Sequence, residues 1–283
     1  MKLVRFGAPG REKPGILDAE GRIRDLSKIV PDIAGDVLSP KSLTKLRKLK
    51  LDKLPLVRGT PRLGPCVGKV GNFIAIGLNY ADHAAEAGMP LPTEPLIFNK
   101  AVSCISGPND DTMIPKGSTK LDYECELGVV IGSRARYLAK DKAMDAVAGY
   151  CLANDVSERV FQLERVGQFT KGKGCETFGP LGPWLVTKDE SRDPQRLDMW
   201  LTVNGESRQK GTTRSMVFGV AHLVWYCSQF FVMNPGDVII TGTPPGVGSG
   251  FKPHPKFLKA GDVVRLGIDG LGEQQQKIVK FRA

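Results

Sequence analysis

A chain of 283 residues can bury a full-sized core without disulfide or metal staples. Its 41% hydrophobic and 25% charged residues are those of an ordinary globular protein, and no stretch approaches the ~18 uninterrupted apolar residues of a membrane helix. The net charge of +10 raises the question of nucleic acid, but the basic excess is densest in Lys41–Arg58, which lacks aromatics, helix-turn-helix spacing and zinc ligands. That segment reads as a solvated face, so neither nucleic acid nor membrane is expected as a partner. Six cysteines without a C-x-x-C pair point to buried thiols in a reducing compartment, hence to a cytoplasmic protein without disulfides or a zinc-thiolate site.

In chain order, Lys2–Phe6 and Gly15–Ile23 read as a short β-meander turning at Asp18–Gly21. A helical pattern at Leu43, Leu46 and Leu49 follows, with Ser39-Pro40 as its cap. These make a small N-terminal α+β unit over residues 1–65. From residue 70 to 283 the texture is strand-dominated, with runs at Phe73–Leu78, Glu126–Ile131, Ala148–Asn154, Trp184–Val186, Leu201–Val203, Val238–Thr241 and Val263–Ile268. The 33 Gly and 20 Pro supply the turns between them. One helix interrupts this pattern: Ser215 is placed to cap a segment whose apolar residues recur from Met216 to Cys227, before Asn234-Pro235-Gly236 stops the chain. No internal repeat is visible, so the fold class is mixed and β-rich.

Three segments carry chemistry. In an extended strand Glu124 and Glu126 project side by side, and two carboxylates at the mouth of an apolar strand are costly to keep ionised unless a cation neutralises them. Asp155, ending the apolar run Tyr150–Asn154, offers a third carboxylate, and a hard cation such as Mg²⁺ or Mn²⁺ suits the set. Next, Asn79–Gly88 reads as a short helix on which Glu86, three residues after His83, can orient the imidazole as a general base. Last, Val238–Gly250 is glycine-rich but lacks a G-K-[ST] ending and a following helix, so a rigid turn offering N–H groups and the Thr243 hydroxyl to a carboxylate is the economical reading.

In order, the stretches N-Y-x-x-H-x-x-E at Asn79–Glu86, Y-E-x-E-L at Tyr123–Leu127, N-D-V-S-x-R-x-x-Q at Asn154–Gln162, K-G-x-x-T-F-x-P-L-G-P at Lys173–Pro183 and P-G-D-V-I-x-T-G-T-P-x-G-V-G at Pro235–Gly248 resemble the fumarylacetoacetate hydrolase family over about residues 70 to 283. The resemblance implies a β-sandwich or roll domain, usually a homodimer, with tetramers left open. It implies Mg²⁺ or Mn²⁺ on Glu124, Glu126 and Asp155, and substrate contacts from Tyr80, Arg159, Gln162 and Thr243. It also implies catalytic roles for His83, Glu86 and Lys173, with Gly88–Glu94 as a lid. The expected reaction is hydrolysis of the C3–C4 bond of a 2,4-diketo acid to pyruvate and a carboxylic acid. The overall flavour is that of the bacterial sugar-acid branch, which splits 2,4-diketo-3-deoxy-L-rhamnonate or L-fuconate to pyruvate and lactate. Alternatives are oxaloacetate decarboxylation, isomerisation of an unsaturated diacid, or a non-catalytic metal-containing binding protein. Two departures, at Ser157–Gln162 and Cys175–Phe178, bear on the fine shape of the pocket.

Overall fold

The computed structural model describes residues 1–281. Its centre is a pair of antiparallel strands, Cys125–Ile131 and Val147–Asn154, in which every residue is buried. Such continuous apolar runs have no solvent face, so they need cover on both sides. Ala153 lies opposite Glu126 and Asn154 opposite Cys125, which brings the carboxylate-bearing ends of the two strands together.

From this pair a mixed sheet extends both ways. On one side come Gly179–Thr187, Lys2–Phe6, Lys13–Leu17 and Ile23–Asp25; on the other come Val238–Ile240, Phe73–Gly77 and Leu96–Lys100. Val238–Ile240 runs parallel to Phe73–Gly77, whereas its other neighbour is antiparallel. The N-terminal segment is therefore continuous with the main sheet, with Leu3 paired to Leu185. Its helix, Pro40–Arg47, starts as the sequence predicts: Ser39 Oγ accepts from Ser42 N at 3.3 Å, Pro40 sits in the first turn, and Leu43 and Leu46 are buried.

A second sheet, in the order Glu206–Thr212, Asp198–Val203, Val263–Ile268, Gly272–Val279 and Thr112–Met113, covers part of the first. Contact between the layers is partly polar, since Gln274 Nε2 donates to the Leu152 and Gly182 carbonyls at 2.9 Å each. Satisfied amides of this kind make burying glutamine tolerable. The six cysteines are free thiols, and no helix is long and apolar enough to cross a membrane.

One sequence expectation is corrected. The helix spans Val220–Cys227 with Gly219 at its N-cap, and Ser215 instead closes the tight turn Thr213–Ser215. Met216 bridges to Tyr80 and Val217 N donates to Asn79 O at 2.8 Å, so the backbone there is already paired and cannot enter the helix. Val220, Leu223, Val224 and Cys227 remain the buried stripe.

Candidate metal centre and active site

Glu124 precedes one central strand, Glu126 lies within it, and Asp155 follows the end of its neighbour. Asp155 N donates to Glu124 O at 2.8 Å, which closes the corner between them. Oxygen atoms of Glu124, Glu126 and Asp155 lie within 4.8 Å of one another, all three residues being buried. Asn154 braces the corner from below: its Oδ1 accepts from Glu124 N at 3.1 Å, and its Nδ2 donates to Gln276 Oε1 at 3.0 Å.

Cations surround this cluster unevenly. Lys173 Nζ donates to Glu124 Oε2 at 2.9 Å and Asp155 Oδ2 at 2.7 Å. Lys100 Nζ donates to Asp155 Oδ1 at 2.5 Å and also to the Lys173 carbonyl. Arg159 reaches Glu124 Oε1 at 2.7 Å, Asp122 Oδ2 at 2.8 Å and Gln162 Oε1 at 2.9 Å. Burial opposes ionisation of Glu124, but Lys173 and Arg159 outweigh it and hold its carboxyl well below the usual range. For Lys173, burial is outweighed by Asp155 and Glu124, which raise its pKa.

Glu126 differs. Among the described residues no cation pairs with it; Oε2 accepts from Gly242 N at 2.7 Å, and burial, then Asp155 and Glu124, push its pKa well above the usual carboxylate range. Four carboxylates, Asp122, Glu124, Glu126 and Asp155, thus stand against the three cations Lys100, Arg159 and Lys173. An all-oxygen donor set with one unbalanced buried carboxylate fits a divalent cation, which would hold Glu126 ionised and leave the cluster with a net charge of +1, favouring an anionic ligand.

The second constellation sits over the same cavity. The helix Ala81–Ala87 ends at Gly88, whose φ of 68° is the left-handed C-cap that glycine adopts without strain. On it His83 Nδ1 and Glu86 Oε2 are 3.0 Å apart, as the three-residue spacing predicts. Glu86 Oε1 accepts from Gly246 N at 2.9 Å, so the glycine-rich loop does present N–H groups to carboxylates, in this case one of the protein's own. Asp122 takes two more, from Gly248 N at 2.6 Å and Ser249 N at 3.0 Å. Thr243 Oγ1 donates to Cys125 O at 2.9 Å and accepts from Gln209 Nε2 at 2.8 Å.

The cavity, of about 380 Å³, is lined by His83, Glu86, Glu124, Glu126, Arg159, Gln162, Lys173 and Thr243, which brings eight of the ten residues singled out from the sequence to one space. Asp155 lies beneath, fully buried on the two lysines. Tyr80 is the exception. Expected at the substrate, it is fully buried with its hydroxyl on Met199 Sδ at 3.3 Å and does not line the cavity, because its ring is taken up in the core beside the strand pairing at Met216. Lys100 and Asp122 went unread in the sequence; a lysine closing the strand Leu96–Lys100 and buried to 2% exposure was the available signal for the first.

The family model described as fumarylacetoacetate (FAA) hydrolase C-terminal matches residues 72–279, and the chain belongs to that family. A Burkholderia cenocepacia protein named only provisionally, as a hydrolase, is 64% identical over 276 residues, covering 98% of each chain. The fumarylacetoacetate hydrolase from psychrophilic Exiguobacterium antarcticum is 36% identical with a TM-score of 0.84, over 99% of this chain and 100% of that one. Maleylpyruvate hydrolase from Sphingobium sp. SYK-6, solved with manganese(II) and pyruvate, is 28% identical with a TM-score of 0.80 over 100% of both chains.

Proposed function

We propose that this chain is a divalent-metal-dependent hydrolase that cleaves the C3–C4 bond of an acylpyruvate, a 2,4-diketo acid, giving pyruvate and a carboxylic acid. The observation that carries the reading is the meeting, in one cavity, of the unbalanced Glu126 in its carboxylate cluster with the His83–Glu86 pair. When bound, Mg²⁺ or Mn²⁺ on Glu124, Glu126 and Asp155 would supply Lewis acidity towards the carboxylate and 2-keto oxygens of the substrate. The manganese and pyruvate in the structure of the Sphingobium relative support that cofactor and that product half.

The chain's own residues do the rest. Glu86 Oε2 accepts a hydrogen bond from His83 Nδ1–H, leaving Nε2 unprotonated and able to take a proton from water. That water adds to the C4 carbonyl, and the C3–C4 bond breaks with its electrons passing to the pyruvate half, which regains a proton at C3. Lys173 holds positive charge beside the developing anion, and Arg159 and Gln162, bonded to each other, fix one wall. Leu78, Met89, Phe98 and Phe169 keep bulk water from the reacting carbons.

Diketo sugar acids belong to the same chemical class and remain among the substrates to be compared. The decarboxylase and isomerase readings share the metal, and an isomerase would use the paired base to move a proton rather than to activate water. The deciding experiment measures pyruvate and carbon dioxide release from acylpyruvates, diketo sugar acids and oxaloacetate, with Mg²⁺ or excess chelator. Pyruvate without carbon dioxide, abolished by chelator, supports the hydrolase; carbon dioxide from oxaloacetate alone overturns it.

The proposal includes a cytoplasmic homodimer acting on free small molecules, without nucleic acid or membrane. The buried free thiols support the compartment. Sedimentation that gives a monomer at micromolar concentration would overturn the dimer.

A further inference from the structure

The buried cations beneath the catalytic cavity, Lys100, Arg159 and Lys173, all meet carboxylates. Arg208, on the strand Glu206–Thr212 of the second sheet, uses its charge only in part. Its side chain is 11% exposed, and while Nη2 reaches Glu206, Nε and Nη1 are closed to water and make no hydrogen bond. Among the described residues they are the only buried nitrogens of a charged side chain without an acceptor. Idle donors of this kind are costly, because burial has removed the water that would serve them.

Arg208 lines a second cavity, of about 440 Å³, which shares no lining residue with the catalytic one. Lys256 and Lys259 line it too, and Asp262 is its one acidic member. The Asp262 carboxylate is already occupied, accepting from Asn204 Nδ2 at 2.9 Å and Lys259 N at 2.7 Å. Glu206 alone answers two cations, Arg208 Nη2 and Lys256 Nζ, at 3.0 Å each. Three cations therefore stand against two carboxylates, which leaves the cavity with surplus positive charge.

The walls that carry these cations are held by backbone bonds, from Lys256 N to Gly248 O and from Leu258 N to Leu121 O, both at 2.8 Å. Arg208 Cζ lies 5.2 Å and Lys256 Nζ 4.9 Å from the centroid of the Phe251 ring. An aromatic face stabilises a cation, but it offers no charge-assisted hydrogen bond of the strength that an oxyanion supplies. Two cations gathered on one ring also repel each other, and an anion placed between them removes that repulsion.

We infer that this cavity is a second ligand site, taking a small oxyanion, phosphate or carboxylate, whose entry turns the Arg208 guanidinium off Phe251 to meet it beside Lys256 and Lys259. Calorimetry on the full-length protein tests this, with sodium phosphate and sodium acetate as probes and sodium chloride holding the ionic strength constant. The protein is used metal-free, so that no ion in the catalytic cavity draws the probe. One anion per chain is expected to bind, and to bind about tenfold more weakly in Arg208→Met, the loss of a charge-assisted hydrogen bond. Lys259 is exposed, so Lys259→Met leaves the fold alone and should weaken binding by about two- to fivefold. Binding of phosphate alone or of acetate alone supports the site and names the source of its ligand. Absence of binding by both anions, or an affinity that survives Arg208→Met, overturns the inference. Should Arg208→Met fail to fold, an affinity unchanged in Lys259→Met overturns it instead.

Discussion

Glu86 Oε1 accepts from Gly246 N at 2.9 Å while Glu86 Oε2 holds His83 Nδ1 at 3.0 Å, so one carboxylate ties His83 to the glycine-rich loop. The helix that carries both side chains is only seven residues long, too short to hold its own position. Its register over the cavity depends on that tie.

Gly250→Ala tests the dependence. The added Cβ would fall 2.6 to 2.8 Å from the Glu86 carboxyl atoms and must displace them. Misplacing a base by about an ångström costs roughly a hundredfold, so kcat is expected to fall by about that factor while Mn²⁺ affinity by calorimetry stays at the native value. A native kcat would mean that the tie does not position the base.

His83→Gln retains polarity but removes the proton acceptor. Hydrolysis is expected to drop by about 10² to 10⁴, the usual contribution of a general base, with unchanged Mn²⁺ binding. Full activity in this variant would assign the base elsewhere.

Glu126 couples metal to pH. Burial, with Asp155 and Glu124 alongside, raises its carboxyl pKa in the folded protein. A group raised by folding contributes stability below its unfolded pKa of about 4.3, and that contribution is lost as pH rises through the folded value. The metal-free protein should therefore lose stability through Glu126 as pH climbs above the ordinary carboxylate range, and bound metal should restore it. At one fixed Mn²⁺ concentration the rise in Tm is expected to grow as pH climbs above the ordinary carboxylate range, because the ion then competes with fewer protons at Glu126. Glu126→Gln should abolish both the metal response and this part of the pH dependence. A metal-induced shift that does not change with pH would rule out proton competition at Glu126.

Lys100 is buried at 2% exposure against Asp155 and the Lys173 carbonyl. Lys100→Met leaves Asp155 short of one of its two cations, and breaking a buried pair of this kind costs about 3–5 kcal/mol. Urea denaturation of the metal-free variant should show that loss. Part of it should be recovered when Mn²⁺ supplies the missing charge.

Much of the site could be read from residue spacing. The E-x-E pair, the Asp155 that ends an apolar run and the i, i+3 dyad each follow from strand or helix periodicity, which is local. Lys100 could not be found that way, because its partners lie 55 and 73 residues away and only the sheet brings them close. The strand Gly272–Val279 escaped for another reason: two of its three inward positions are Gln274 and Gln276, so Ile278 alone gives an apolar signal, too little to show the alternation. Ser215 misled because a good capping residue lies five positions before the helix, in backbone that pairs with Asn79 and Tyr80. Tyr80 adjoins the dyad in sequence, yet the strand pairing at Met216 turns it into the core.

The brace from Asn154 to Gln276 spans 122 residues and sits directly beneath Glu124. During synthesis the carboxylate cluster is complete in sequence once Asp155 has emerged, but the floor supporting it is not. A nascent chain stalled before Gln276 would display three acidic residues without the support that sets their spacing. Competence to hold metal is thus expected to arrive late and all at once, when the ribosome has delivered the strand that carries Gln276, and the cell is spared a half-made centre that scavenges ions.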